Sequence, residues 1–235
     1  MNTLLLLLLD SRAPAGAHHH SGGMEAAVGT GLVTNLAGLE DFCRAKLRTS
    51  AKVSAAFASA SARLQSQWTE RSVVLDQAQR QWATLDAEFG ARTPSEAMRT
   101  ASRQLGGGLL RLVRSVQPEA DVDAAFRRCA GPAPHQPLVL GAAVSLAGGT
   151  PALAAQAAAL AACTGPASAA VRLLGLDPFA VQAMLARLAP GIDECAAAAA
   201  RAAARSPASL PAHGAPALDL LADYHLTAEV RLFAS

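Results

Sequence analysis

An all-α fold, a single compact helical domain of about ten helices spanning residues 1–235, is what this chain predicts. Three observations carry that expectation. Half of the residues are hydrophobic (51%) yet only 4% are aromatic, because alanine supplies much of the apolar share. Alanine is the strongest helix former and lets helices approach closely. Apolar residues recur at helical rather than strand spacing through most of the chain. Several helix starts are also marked by a capping residue followed by proline: Thr93-Pro94, Thr150-Pro151 and Asp177-Pro178.

Taken in order, the six leucines Leu4–Leu9 form a short apolar helix. It is broken by a polar elbow containing Pro14 and Gly16, and a second helix starts at about Met24. Ser21 is placed to cap that helix and Glu25 lies in its first turn, favourable to the dipole. Gly22 and Gly23 leave backbone N–H groups open to a partner. Thr34 is placed to cap a helix striped by Leu36, Leu39, Phe42, Cys43 and Leu47. Val53, Phe57, Leu64 and Trp68 mark the next helix; Val74, Leu75, Ala78, Trp82, Leu85 and Phe89 mark one ending at Gly90. Both tryptophans read as core anchors.

Thr93-Pro94-Ser95-Glu96 reads as a helix start with a capping threonine, first-turn proline and a glutamate three residues after the cap. That helix runs to Val116 and is interrupted by Gly106-Gly107-Gly108, which cost on the order of 2–3 kcal/mol against alanine. Close packing or a partner must compensate. Residues 131–137 form a short Pro-rich internal linker between two helical stretches. Leu138–Ala147 and the segment after Thr150-Pro151 are small-residue helices, the latter with Pro166 placed to kink it. Cys195–Arg205 reads as an alanine helix, Ser206–Pro216 as a loop, and the chain closes on a last helical stretch.

Four ordered blocks of this sequence resemble the urease accessory protein UreF family. The first is Asp10, Ser11, Pro14, Gly16, His20, Ser21, Gly22, Gly23, Met24 and Glu25. The second is Arg92, Thr93, Pro94, Glu96, Arg99, Ala101, Ser102, Arg103 and Gly106. His135 and Gly141, followed by Arg172-Leu173-Leu174-Gly175-Leu176, form the third, with Gly175 where the family usually has proline. The fourth is His225, Arg231, Leu232, Phe233 and Ser235, with Ala234 where a basic residue is common. The resemblance implies an all-α, dimeric, non-enzymatic maturation scaffold. Such a protein binds a UreD/UreH-type partner and the GTPase UreG and assists GTP-dependent nickel delivery to apo-urease. It also directs attention to the elbow (Ser11, His20, Ser21, Gly22, Gly23, Glu25) and the carboxyl end (Arg231, Leu232, Phe233) as partner-facing residues.

Charge and composition narrow the alternatives. A formal net charge of +2 with no Lys/Arg-rich run argues against nucleic acid. Leu4–Leu9 lacks the basic flank and length of a secretory signal, and no run of about 20 strongly apolar residues marks a membrane span. The expected location is the cytoplasm. The four cysteines, Cys43, Cys129, Cys163 and Cys195, contain no C-x-x-C pair and read as buried apolar residues rather than a zinc site.

Catalytic constellations are missing from the pattern: there is no H-E-x-x-H, G-x-S-x-G or P-loop. Asp10 and Glu25 flank one elbow and read as capping groups before they read as paired carboxylates. His18, His20 and His225 are the metal-ligand candidates, and no cofactor is implied. Three classes of function remain open: the scaffold, a direct nickel carrier using those histidines, and an all-α enzyme or small-ligand binder unrelated to urease.

Overall fold

A computed structural model describes residues 3–10 and 20–226, with side chains through Asp223. They form eleven α-helices and no strand, and about 75% of the described residues are helical. The helices are α1 (Thr3–Leu9), α2 (Met24–Gly29), α3 (Leu36–Arg48), α4 (Ser50–Thr69), α5 (Leu75–Ala91) and α6 (Glu96–Val116). After them come α7 (Val122–Phe126), α8 (Gln136–Leu146), α9 (Pro151–Leu174), α10 (Pro178–Ala202) and α11 (Pro216–Leu226).

The core is built around α4. A single residue, Thr49, separates it from α3, and α8, α9 and α10 surround it. The sequence explains why: α4 carries six alanines and five serines among its larger apolar residues, so almost every face can be buried. At its closest approach, a Cβ added to Gly141 of α8 would lie 2.0 Å from the Ala58 carbonyl oxygen. No side chain fits there. The seam is bolted by Ser61, whose hydroxyl donates to the Leu138 carbonyl (2.7 Å) and accepts from the Trp82 indole N–H (3.0 Å). Trp82 is fully buried between the rings of Trp68 and Phe126, which confirms its role as an anchor.

One helix, α9, is long and apolar enough by length and composition to cross a membrane. Here it buries Ala154, Ala155, Ala159 and Cys163 against its neighbours α4, α10 and α3.

Several local expectations shift. The cap of α3 is Asn35, whose side chain accepts from the Gly38 N–H (3.0 Å), not Thr34. Helix α6 is capped by Ser95 rather than Thr93, because the Thr93 hydroxyl already donates to the Phe89 carbonyl. The three glycines do not interrupt α6, which runs unbroken. Their compensation is packing: a Cβ on Gly106 would come within 2.0 Å of the Pro134 carbonyl oxygen. Thr150 and Asp177 cap α9 and α10 as the sequence predicts.

The Pro-rich segment before α8 is braced by a buried ion pair. Arg103 reaches Asp86 (Nη2–Oδ2, 3.0 Å) and donates to the Ala133 carbonyl (2.6 Å), while Asp86 accepts the His135 backbone N–H (3.0 Å). Gln136 and Pro137 are already the first turn of α8. The arginines that carry the second block of resemblance are therefore stitches: Arg92 to the Ala208 carbonyl, Arg99 to Thr93 and Pro94, Arg103 to the 131–135 loop.

Candidate functional site

The elbow lies where α2, α3 and α9 meet. Gly22 (φ +61°) and Gly23 (φ +89°) both occupy the left-handed region that side chains rarely adopt. This pair of conformations turns the chain into α2, with the Met24 N–H donating back to the Ser21 carbonyl (3.2 Å). Ser21 does not cap α2. Gly23 is the cap residue, and Ser21 is 1% exposed with its hydroxyl oxygen unpartnered among the described residues. At six residues, α2 is also too short to offer the dipole-driven donor site that two glycines at a helix start predict.

Two neighbours hold the turn. Lys46 of α3 donates from Nζ to the Gly22 carbonyl (2.9 Å), and a Cβ on Gly22 would lie 3.2 Å from Pro166 Cγ of α9. Beside the turn opens a groove of about 270 Å³. Its walls come from sequence-distant pieces: His20, Gly22 and Gly23 from the elbow, Lys46 from α3, Pro166 from α9 and Leu218 from α11. Most of the remaining wall is apolar, including Met98 and Leu105 of α6.

The polar groups on this wall are unusual. Lys46 is 6% exposed, and burial pushes its ammonium pKa down, with the neighbouring Cys43 and Cys163 thiols acting in the opposite direction. Arg92 also faces the groove, with its guanidinium tied to Glu88 and the Ala208 carbonyl, and its Nε buried without an acceptor among the described residues. On α11, Asp219 has its carboxyl pKa raised by burial and by Asp223.

The sequence-predicted residues divide clearly. His20, Gly22 and Gly23 line the groove, whereas Ser21 is buried behind it. Glu25 is half-buried on the first turn of α2. Ser11, His18, Arg231, Leu232 and Phe233 lie outside the described residues, as does the side chain of His225. Among the described residues, no three His, Cys, Asp or Glu side chains converge as metal ligands. The cysteines are free: Cys43, Cys163 and Cys195 are buried and Cys129 is half-buried, and burial pushes the Cys129 thiol up to about 12 and that of Cys195 to about 11. Sequence reasoning missed Lys46 and Arg92. The signal for Lys46 was present: it stands on the same helical stripe as Leu39, Phe42, Cys43 and Leu47, a cation on an apolar face.

Comparison with known proteins completes the description of the site. The UreF family model matches residues 33–189. The chain is 43% identical over 233 residues to the urease accessory protein UreF of Mycobacterium sp. (strain JLS), a match that covers 99% of this chain and 98% of that protein. It is 42% identical over 232 residues to the protein of the same description from Mycobacterium marinum (strain ATCC BAA-535 / M), covering 99% and 98%. To that of Mycobacterium tuberculosis (strain ATCC 25177 / H37Ra) it is 38% identical over 222 residues, covering 94% and 93%.

Proposed function

Because the chain belongs to the UreF family of urease accessory proteins, with the role in urease maturation that this implies, we propose that it is a non-enzymatic scaffold of that process. In this reading it bridges a UreD/UreH-type protein and the GTPase UreG, and assists GTP-dependent nickel insertion into apo-urease. It works in the cytoplasm as a single domain, residues 1–235, paired as a homodimer within the complex.

The observation that carries the reading is the elbow. A turn that only glycine adopts without strain is pinned by Lys46 and Pro166 at the mouth of a largely apolar groove. Such a groove suits capture of a protein segment. The residues proposed to serve docking are Ser11, His20, Ser21, Gly22, Gly23 and Glu25 at the elbow, and Arg231, Leu232 and Phe233 at the carboxyl end. Ser21, being buried, supports the turn rather than touching the partner.

The test is affinity capture of purified UreD/UreH-type protein and UreG by three forms of the chain: wild type, Gly22→Ala with Gly23→Ala, and a deletion of residues 232–235. The scaffold reading expects capture of at least one partner to fall in each variant while helical circular dichroism is retained. Undiminished capture of both partners by both variants overturns it.

A further inference from the structure

Lys46 makes a demand that the described residues do not meet. An ammonium carries three donors. One donates to the Gly22 carbonyl at 2.9 Å, and the Phe42 ring lies 5.7 Å away, centroid to nitrogen. No carboxylate among the described residues pairs with it. Glu40, one and a half turns earlier on α3, is taken by Arg44 and Arg187 on the outer surface. Asp219, also on the groove wall, makes no ion pair with Lys46. A buried charge without a counter-ion is among the costliest arrangements in a fold. Holding one carbonyl needs only a neutral donor, so it does not account for a cation here.

The groove opens on this side chain, and its other walls are mostly apolar. Across it, Arg92 adds a second cation, paired with Glu88, whose Nε is buried without an acceptor among the described residues. We infer that the groove receives an acidic side chain carried on an apolar segment of the docking partner, with Lys46 as the counter-ion of that carboxylate. The inference rests on the docking function proposed for the elbow and adds the chemistry of what docks. About 270 Å³ accommodates one or two side chains rather than a whole helix. Lys46 is the specificity element, because an apolar segment lacking the acid leaves the ammonium buried and unpaired.

The test uses the full chain and purified UreD/UreH-type partner, with binding followed by interferometry and folding by thermal melting. Lys46→Met removes the charge and keeps the shape. The expected result is capture weakened about tenfold or more through a faster off-rate, with a melting temperature equal to or above that of the wild type. Lys46→Arg keeps the charge and is expected to retain capture. Should Lys46→Met fail to fold, Lys46→Gln, which retains a donor for the Gly22 carbonyl, is read in its place. Loss of capture with an equally lowered melting temperature assigns Lys46 to bracing the elbow and overturns the inference. So does wild-type capture by Lys46→Met. If Gly22→Ala with Gly23→Ala still loses capture in that case, the docking reading survives alone; if it too captures normally, both fall.

Discussion

The seam between α4 and α8 and the elbow beside α3 both depend on a glycine, for opposite reasons. At Gly141 the demand is space: any Cβ would collide with the backbone of Ala58 and Ala62. At Gly22 the nearest obstacle is the side chain of Pro166, in tight contact only, and the demand is a backbone angle. At the seam Ser61 is used twice, serving both the Leu138 carbonyl and Trp82, while Ser59 Oγ and Gln65 Oε1 of α4 stay sealed in the core without a partner among the described residues. Among the described residues, the elbow and its groove leave an ammonium, a guanidinium nitrogen and a serine hydroxyl incompletely met. A region whose few unmet groups are sealed in the core offers them to no partner. One that keeps unsatisfied donors beside an apolar groove is suited to contact with another molecule.

That contrast can be broken in graded steps. Gly141→Ala should have the largest effect, a loss of about 3 kcal/mol or more in denaturant unfolding, because neither backbone can retreat. The next concerns His135, packed on Phe89 with both ring nitrogens unpartnered among the described residues. Burial holds the imidazole neutral and pushes its pKa from 6.5 to about 4, with Arg103 and Arg99 acting in the same direction and Asp86 against them. The unfolded chain therefore takes up this proton below about pH 6.5 and the folded chain only near pH 4, so stability falls as pH drops between them. Between pH 7 and pH 5 the wild type should lose about 2 kcal/mol more than His135→Phe does, as measured by urea unfolding at each pH.

Ser61→Ala should cost about 1–2 kcal/mol, since it leaves the buried Trp82 N–H without an acceptor. Gly22→Ala comes last, at about 1 kcal/mol in melting experiments, the usual cost of a left-handed residue with a Cβ. Its effect on partner capture should be much larger than its effect on folding. If Gly22→Ala destabilises as much as Gly141→Ala, the two regions do not differ in kind.

The cap-plus-proline starts at Thr150 and Asp177 were legible because the signal is local: side chain, N–H and proline lie within one turn. At Thr93 the same signal was misplaced by two residues, because its hydroxyl serves the end of the preceding helix, donating to the Phe89 carbonyl four residues back. The close packing expected from alanine is what α4 and α8 display, but the partner of Gly106 lies in a loop 28 residues on, beyond any helical period. The elbow's glycines stood out in the sequence, whereas the groove did not, since its walls are drawn from residues as distant as Gly22, Lys46, Pro166 and Leu218. Lys46 was passed over because a lysine between apolar residues reads by habit as solvent-facing.

Pro166 has one more consequence. It sits inside α9 without an N–H to return to the carbonyl of Ala162, so this 24-residue rod lacks a rung where it faces the glycine turn. Both ends are fastened, by the Thr150 cap at one and the left-handed Gly175 at the other. Mechanically the rod is two stiff halves meeting at a compliant joint, and a load applied at the mouth is absorbed there as a change of bend. The alanine-packed centre behind it keeps its register.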